Sequence, residues 1–299
     1  MMRKSPKISI VTPSFNQAEF IEATIQSILS QDYPNLEYII IDGGSTDGSV
    51  DIIKKYEKHL HFWCSEPDAG QYDAINKGFA QSTGEIMAWL NSDDMYFPWT
   101  LKTVASIMCE LPQVEWLTTL APAFWDWHGF CQQISSIPGF SKAAFLDGCY
   151  LPLGNKTAIN WLQQESTFWK RSLWEKVGGC IATEFKLAGD FDLWSRFYRY
   201  TDLYGTTSPL GGFRFQSTQK CRQIEQYVEE AQTSLARMRT LCKWSPNNSR
   251  KIALQLRLNT IPKLRKLSEP MYSYLGKRIL RKKLDLPEGY WDIEEYKFS

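Results

Sequence analysis

The sequence lacks several features that would place it in common functional classes. Its formal net charge is only +1, so it has no general attraction for nucleic acid, and we expect no nucleic-acid partner. The seven cysteines are scattered without a C-x-x-C pair, which argues against a zinc knuckle and a disulfide framework and favours reduced thiols. Only three histidines are present, and His59 and His61 fit an exposed strand start better than a metal site.

Membrane and phosphate-loop signatures are also missing. No apolar run reaches the ~18 residues of a transmembrane helix, and residues 1–7 lack the apolar core of a signal peptide. The Gly43-Gly44 loop lacks the spacing of the dinucleotide-binding fingerprint, and no P-loop motif occurs. We therefore expect a cytoplasmic protein, and the dinucleotide-fold and P-loop classes are poorly supported.

The chain instead shows β-rich runs that alternate with helical segments. Runs at 8–12, 36–41, 60–64 and 85–90 have the apolar, β-branched character of buried strands, and helical periodicity fills the intervals. This order predicts an α/β fold with a mostly parallel sheet and right-handed crossovers. After residue 216 the pattern changes to two or three amphipathic helices.

Acidic residues follow the predicted strands at three points: Asp42, the pair Asp68 and Asp73, and the pair Asp93 and Asp94. Carboxyl ends of parallel strands meet at one edge of a sheet, where ligands bind. Adjacent carboxylates repel each other, and Mg²⁺ or Mn²⁺ would relieve that repulsion and bridge to a diphosphate. The alternative is that Asp93 and Asp94 cap the helix that follows residues 97–99 (FPW).

The Asp42 carboxylate has two interpretations. It could accept the N3–H of uracil or thymine, or the N1–H and amino group of guanine, and it matches cytosine poorly. Alternatively, it forms an Asx turn that leads into the glycine loop.

Three ordered motifs carry a family resemblance: residues 11–16 (VTPSFN), residues 41–49 (IDGGSTDGS) and residues 91–94 (NSDD). Together they resemble glycosyltransferase family 2. The resemblance implies a GT-A fold, a Rossmann-like, mostly parallel sheet flanked by helices. It also implies a catalytic domain at 1–216, with a nucleotide-sugar half at about 8–95 and an acceptor half at about 96–216. Residues 217–299 would form a helical, basic extension.

The resemblance also implies site residues. Those matching donor-binding positions are Thr12, Pro13, Asn16, Asp42, Asp73, Asn76, Lys77, Asn91, Ser92, Asp93 and Arg214. Asp93 and Asp94 match the metal-binding region for Mg²⁺ or Mn²⁺, although the first acid of that motif is Asn91 here, a neutral oxygen ligand. Gln216, near the segment that closes over the diphosphate, stands where some relatives carry His.

The implied reaction is inverting sugar transfer from a nucleotide diphosphate sugar, with a UDP-sugar as first choice. Asp190 matches the general base, and Gly189 stands where the family often has Glu; the alternative role of Asp190 is a helix N-cap. The implied acceptor is a saccharide or a lipid-linked saccharide, in polysaccharide or glycolipid synthesis. The departures at Asn91 and Gly189 leave a second hypothesis, a catalytically inactive nucleotide-sugar binding module.

Aromatic and basic residues suggest two further contacts. One or two of five tryptophans are expected to stack on a sugar: Trp125, Trp127, Trp161, Trp169 and Trp174. Residues 250–283 hold eleven basic residues and one acidic residue, Glu269. These predicted helices either bind the inner face of an anionic membrane as a peripheral contact or pack on the catalytic domain with solvated basic faces.

Overall fold

In the computed structural model the described residues are 5–152, 161–216, 223–247, 252, 256, 273–283, 285 and 289–299. The strands are β1 Ile8–Ser14, β2 Leu36–Asp42, β3 Phe62–Ser65, β4 Ile86–Trp89, β5 Met95–Tyr96, β6 Trp116–Thr119, β7 Ala123–Trp125, β8 Cys131–Ile134, β9 Phe168–Lys170, β10 Tyr204–Thr206, β11 Gly211–Arg214, β12 Tyr274–Lys282 and β13 Tyr290–Phe298. The helices are α1 Ile21–Leu29, α2 Ser49–Tyr56, α3 Gln71–Ala80, α4 Thr100–Glu110, α5 Lys142–Leu146, α6 Arg171–Lys176, α7 Gly189–Phe197 and α8 Ile224–Leu241, with 3-10 turns at Glu57–His59 and Gln164–Ser166.

The described strands form one large sheet and one small sheet. The large sheet has the order β13-β12-β10-β6-β9-β4-β1-β2-β3, and β1 pairs in parallel with both β2 and β4. The small sheet has the order β5-β11-β7-β8. The four strands predicted in the first ninety residues are present, and the prediction of an α/β fold with a mostly parallel sheet is confirmed.

The sheet is covered on both faces, which explains its continuous apolar strands. Ile8 and Ile10 of β1 pack in a cluster with α1 and α4, whereas Val11 belongs to a cluster on the opposite face with α3 and α7. Helix α8 contributes Leu235 to that second cluster. Alternate residues of one strand thus fill two cores, as the period-2 geometry of a strand requires.

The predicted all-helical C-terminal extension is wrong for Tyr274–Lys282 and Tyr290–Phe298, which are strands β12 and β13 and pair antiparallel. Strand β12 pairs in parallel with β10 and so joins this pair to the main sheet. The interleaved basic and apolar residues fit a helix or a strand equally well, and non-local pairing decides between them. Arg278 makes a double hydrogen bond to Glu294 at 3.0 Å, and Lys277 pairs with Asp202 at 2.8 Å.

These ion pairs support the packing alternative for this part of the tail. Lys263, Arg265 and Lys266 of the predicted basic cluster lie outside the described residues. In the described ranges, no helix combines the length and apolarity needed to cross a bilayer.

Candidate active site

A cavity of about 610 Å³ opens where the first strands of the main sheet end. Ser14 lies opposite Asp42, and Asp42 lies opposite Ser65, so the carboxyl ends of β1, β2 and β3 meet at one edge. The loops leaving these strands build the walls. The lining residues are Pro13, Ser14, Phe15, Gln17, Gly43, Pro67, Asp68, Gly70, Gln71, Ala74, Asn91, Ser92, Asp93, Phe213 and Gln216.

The Asp42 carboxylate is fully buried and is not among the lining groups. Its Oδ2 accepts hydrogen bonds from the backbone N–H groups of Gly44 (3.1 Å) and Ser45 (2.8 Å) and from the Ser65 hydroxyl (2.7 Å). Its Oδ1 accepts from the Ser45 hydroxyl at 2.5 Å. This is the Asx-turn alternative, and the geometry argues against direct contact between Asp42 and a base.

A different carboxylate, that of Asp68, lines the cavity. Its Oδ1 accepts the Gly70 N–H at 2.8 Å. A Cβ atom placed on Gly43 would lie 2.9 Å from Asp68 Oδ2 and 3.3 Å from the Phe15 ring. Because position 43 is glycine, the Asp68 carboxylate and the Phe15 ring can pack directly against the backbone at that position.

Three residues of the first loop, Thr12, Pro13 and Asn16, are predicted to contact the nucleotide, and the structure gives them different environments. Pro13 lines the cavity, whereas Thr12 is buried and its hydroxyl lies 3.1 Å from the Tyr38 hydroxyl. Asn16 has a φ of 51° and links its loop to the glycine loop. Its N–H donates to Ser45 Oγ at 2.8 Å, and its Oδ1 accepts the Thr46 N–H at 3.0 Å.

The three predicted contacts on α3 lie outside the cavity lining. Asn76 bonds twice to the backbone of Ile181, at 2.9 and 2.8 Å, so it fixes the loop before α7. Asp73 accepts the Ala69 N–H at 3.0 Å and pairs with Lys77 at 3.4 Å. These contacts give the three side chains structural roles and argue against the predicted contact with the nucleotide.

The acidic tip after β4 divides into an inner and an outer carboxylate. Asp93 lines the cavity together with Asn91 and Ser92. Asp94 is fully buried, where its Oδ1 accepts the Arg214 N–H at 3.0 Å and its Oδ2 accepts from the Asn91 amide at 3.2 Å. The structure therefore argues against the predicted metal contact by Asp94. Neither acid caps α4, which begins at residue 100.

The oxygen groups at this tip fit a divalent cation only in part. Asp93 offers a carboxylate, and its Oδ2 accepts from the Gln216 amide at 2.5 Å. The Asn91 Oδ1 accepts from the Gln71 amide at 2.7 Å. Within the described ranges, no cluster of three His, Cys, Asp or Glu side chains is placed to hold a metal. Mg²⁺ commonly uses one or two carboxylates with phosphate and water oxygens, so Asp93 meets that minimum.

Arg214 is 2% exposed and faces the protein interior. Its guanidinium donates to the Trp127 carbonyl oxygen at 3.2 Å and lies 5.2 Å from the centre of the Phe20 ring. Its neighbours in sequence, Phe213 and Gln216, line the cavity instead. The structure therefore argues against the predicted contact between Arg214 and the diphosphate, because the Arg214 side chain packs behind the wall of the cavity.

Asp190 lies in the first turn of α7, which begins at Gly189 after an Ala188 cap. It is therefore not the N-cap that the alternative proposed. Burial raises the pKa of Asp190 to about 6, and the hydrogen bonds that it accepts oppose this effect only in part. A pKa near neutrality suits a general base, which must be ionised yet able to take a proton.

The glycine before Asp190 has a steric explanation. A Cβ atom on Gly189 would lie 2.7 Å from Tyr72 Cε2 and 2.9 Å from Ile181 Cγ2. The Tyr72 hydroxyl donates to the Leu187 carbonyl oxygen at 2.6 Å, which fixes the ring in that space. The Tyr72 ring therefore excludes the Glu that the family often has at this position.

Glu165 is a site residue that the sequence did not reveal. It is 4% exposed, and burial together with the charges of Asp93 and Asp190 raises its pKa to about 8. The charges of Asp93 and Asp190 both act on Glu165, so the three carboxyl groups interact electrostatically. A single acidic residue in the polar stretch around position 165 gives no sign of its burial in the sequence.

Burial reduces the number of tryptophans that could stack on a sugar. Trp125, Trp169 and Trp174 are at most 7% exposed and belong to the cores. Trp127 and Trp161 are 37% and 43% exposed. Only these two of the five present enough ring surface to stack on a sugar.

The sheet order and the cavity at the strand ends define the class of protein, an α/β protein of GT-A type. The structure is similar to S. aureus TarS 1–349 in complex with UDP-GlcNAc, with a TM-score of 0.61, 16% identity, and coverage of 89% of this chain and 78% of that one. It is also similar to the mannosyltransferase PcManGT from Pyrobaculum calidifontis in complex with GDP-Man and Mn²⁺, with a TM-score of 0.53, 16% identity, and coverage of 90% and 84%.

The sequence comparisons find glycosyltransferases. The model described as Glycosyl transferase family 2 matches residues 9–127 of this chain. The chain is 39% identical over 99 residues to TuaG of Bacillus subtilis, described as a candidate glycosyltransferase of teichuronic acid biosynthesis. It is 38% identical over 96 residues to an uncharacterized glycosyltransferase of Mycobacterium tuberculosis. The matches cover 32% of this chain and only 39% and 37% of those relatives.

Proposed function

We propose that this chain transfers a sugar, with inversion, from a nucleotide diphosphate sugar to a hydroxyl of a saccharide or lipid-linked saccharide. The observation that carries the proposal is the arrangement of three carboxyl groups. Asp93 lines the cavity, Asp190 stands apart with a pKa of about 6, and Glu165 is electrostatically coupled to both. The donor side and the acceptor side of the proposed reaction would therefore use different carboxyl groups.

The donor proposed for the cavity is a UDP-sugar. A volume of about 610 Å³ lies within the range of small-ligand pockets. TarS was solved with UDP-GlcNAc, and TuaG is named for polysaccharide synthesis, which supports a UDP-sugar and a role in cell-surface polysaccharide or glycolipid synthesis. Asp68 and Phe15 line the part of the cavity near the glycine loop and are the proposed contacts for the base.

The proposed chemistry begins with ionised Asp190, which takes the proton from an acceptor hydroxyl. The oxygen then attacks the anomeric carbon from the face opposite the diphosphate. Glu165, with a pKa of about 8, is protonated at neutral pH and adds no negative charge beside that base. A divalent cation bound at Asp93, with the Asn91 amide oxygen nearby, would stabilise charge on the departing diphosphate. One relative in structure, PcManGT, was solved with Mn²⁺.

Calorimetry and a UDP-release assay test this proposal with UDP-GlcNAc and Mn²⁺ as probes. Wild type should bind the donor and release UDP, and Asp93→Ala should lose both. Asp51→Ala is the matched control, because that carboxylate is 83% exposed on α2. Binding without release in the wild type would instead support the inactive binding module, and full activity of Asp93→Ala would contradict the role of the tip.

A further inference from the structure

Helix α8 reaches the candidate base from beyond the segment that the family model matches. The Tyr227 hydroxyl donates towards both carboxylate oxygens of Asp190, at 3.4 Å to Oδ1 and 3.5 Å to Oδ2. One turn further along α8, Glu230 Oε2 accepts the backbone N–H groups of Leu187 (2.8 Å) and Ala188 (3.0 Å). The same helix therefore contacts the base and the turn that carries it.

The Glu230 contacts stabilise the turn that precedes α7. The first N–H groups around a helix start have no partner within the helix, and burial makes an unpaired one costly. Glu230 satisfies two such groups just before α7, and the Gln226 amide holds its other oxygen at 3.0 Å. The Tyr227 hydroxyl, in contrast, points at the Asp190 carboxylate itself.

We propose that Tyr227 is a positioning residue for Asp190 and that α8 is part of the catalytic unit. This inference rests on the proposed function, because it presumes that Asp190 is the base. A hydroxyl shared between both oxygens restricts rotation of the carboxylate and stabilises its ionised form. The acceptor hydroxyl then meets a carboxylate whose direction is already set.

Four titratable groups face Asp190 from the surrounding elements. They are Tyr72 on α3, Glu165 in the 3-10 turn, and Tyr227 and Glu230 on α8. The hydrogen bond from Tyr227 lowers the pKa of Asp190, whereas the negative charge of Glu230 raises it. The two residues of α8 therefore have opposite effects on the pKa of Asp190.

Carboxyl NMR on the full chain tests the inference without any substrate. Aspartate side chains are labelled with ¹³C, and the Asp190 signal is identified by its loss in Asp190→Asn. In Tyr227→Phe the titration midpoint should rise by about half a pH unit. Tyr33→Phe is the matched control, since it removes another buried tyrosine hydroxyl, bonded to the Pro6 carbonyl oxygen at 2.7 Å, and should leave the midpoint unchanged.

The variant Glu230→Gln gives a second, independent readout and should lower the same midpoint. If Tyr227→Phe does not fold, the Asp190 midpoint in Glu230→Gln alone tests whether α8 sets the pKa of Asp190. A midpoint that stays or falls in folded Tyr227→Phe, or that stays or rises in Glu230→Gln, overturns the inference.

A kinetic arm separates this inference from the proposed function. The acid limb of UDP release in Tyr227→Phe should move to higher pH, with KM for UDP-GlcNAc within about twofold of wild type. If wild type releases no UDP while the NMR midpoints move as expected, the proposed function fails and the coupling of Tyr227 to Asp190 stands. If wild type is active but the profile of Tyr227→Phe is unchanged, only the positioning role fails.

Discussion

Replacing Asp42 distinguishes a carboxylate that shapes the glycine loop from one that contacts the nucleotide. Asp42→Ala removes the acceptor for two backbone N–H groups and two hydroxyls, those of Gly44, Ser45 and Ser65. Hydrogen bonds to a charged group contribute about 1.5–3 kcal/mol each, and the substitution also removes the cost of burying the carboxylate, so the expected net loss of stability is about 3–5 kcal/mol. That is a large share of the usual ~5–15 kcal/mol of a domain.

Asp42→Asn is the conservative partner of this variant. Its amide oxygen can keep the three bonds that Oδ2 accepts, and its NH₂ group can donate to Ser45 Oγ. The expected cost is therefore only about 1 kcal/mol, within the range of one neutral hydrogen bond. UDP affinity of this variant should stay within about threefold of wild type.

Urea unfolding and UDP calorimetry give the two readouts. Asp68→Ala should show the opposite behaviour to Asp42→Ala, with weaker UDP binding and little change in the unfolding midpoint, because Asp68 lines the cavity. The reasoning is refuted if Asp42→Ala keeps wild-type stability and loses UDP binding, since that is the signature of a direct contact with the base.

Three further predictions follow from burial and charge. Acceptor-dependent turnover should show an acid limb near pH 6, because Asp190, whose pKa is raised to about 6 by burial, must be ionised; a flat profile from pH 5 to 7 would contradict this. The pKa of Glu165 is raised from 4.5 to about 8 in the folded protein. The stability of wild type relative to Glu165→Gln should therefore fall as the pH rises from about 4.5 to 8 and then level off. Urea unfolding at several pH values measures this difference. Gly189→Ala should destabilise the fold by about 1–3 kcal/mol through crowding of the Tyr72 ring, and a wild-type melting temperature would count against that packing.

The first half of the fold could be predicted because its signals are local. Continuous apolar runs such as residues 36–41 give buried strands, and capping and helical spacing give the helices between them. The position of Asp93 at a strand tip follows from the same pattern. Those features depend on residues close together in the chain.

The remaining features depend on contacts between distant residues. Strands β12 and β13 form where β12 pairs with β10 and Arg278 pairs with Glu294, and neither partner can be chosen from the basic segment alone. Asp93 and Asp94 are adjacent and identical in the sequence, yet one lines the cavity and the other is buried by the Arg214 backbone. Burial of Glu165 likewise arises from tertiary packing.

The central claim is that Asp190 removes the proton from the acceptor while the cavity holds the donor. Single-turnover release of UDP from UDP-GlcNAc in wild type and Asp190→Asn, with water as the hydroxyl that takes the sugar, tests it most directly. Calorimetry on the same samples gives the donor affinity. A lost general base should lower the chemical rate by about 10²–10⁴-fold, with donor affinity within about twofold of wild type. A rate equal to that of wild type, or a loss of donor affinity as large as the loss of rate, would contradict the account.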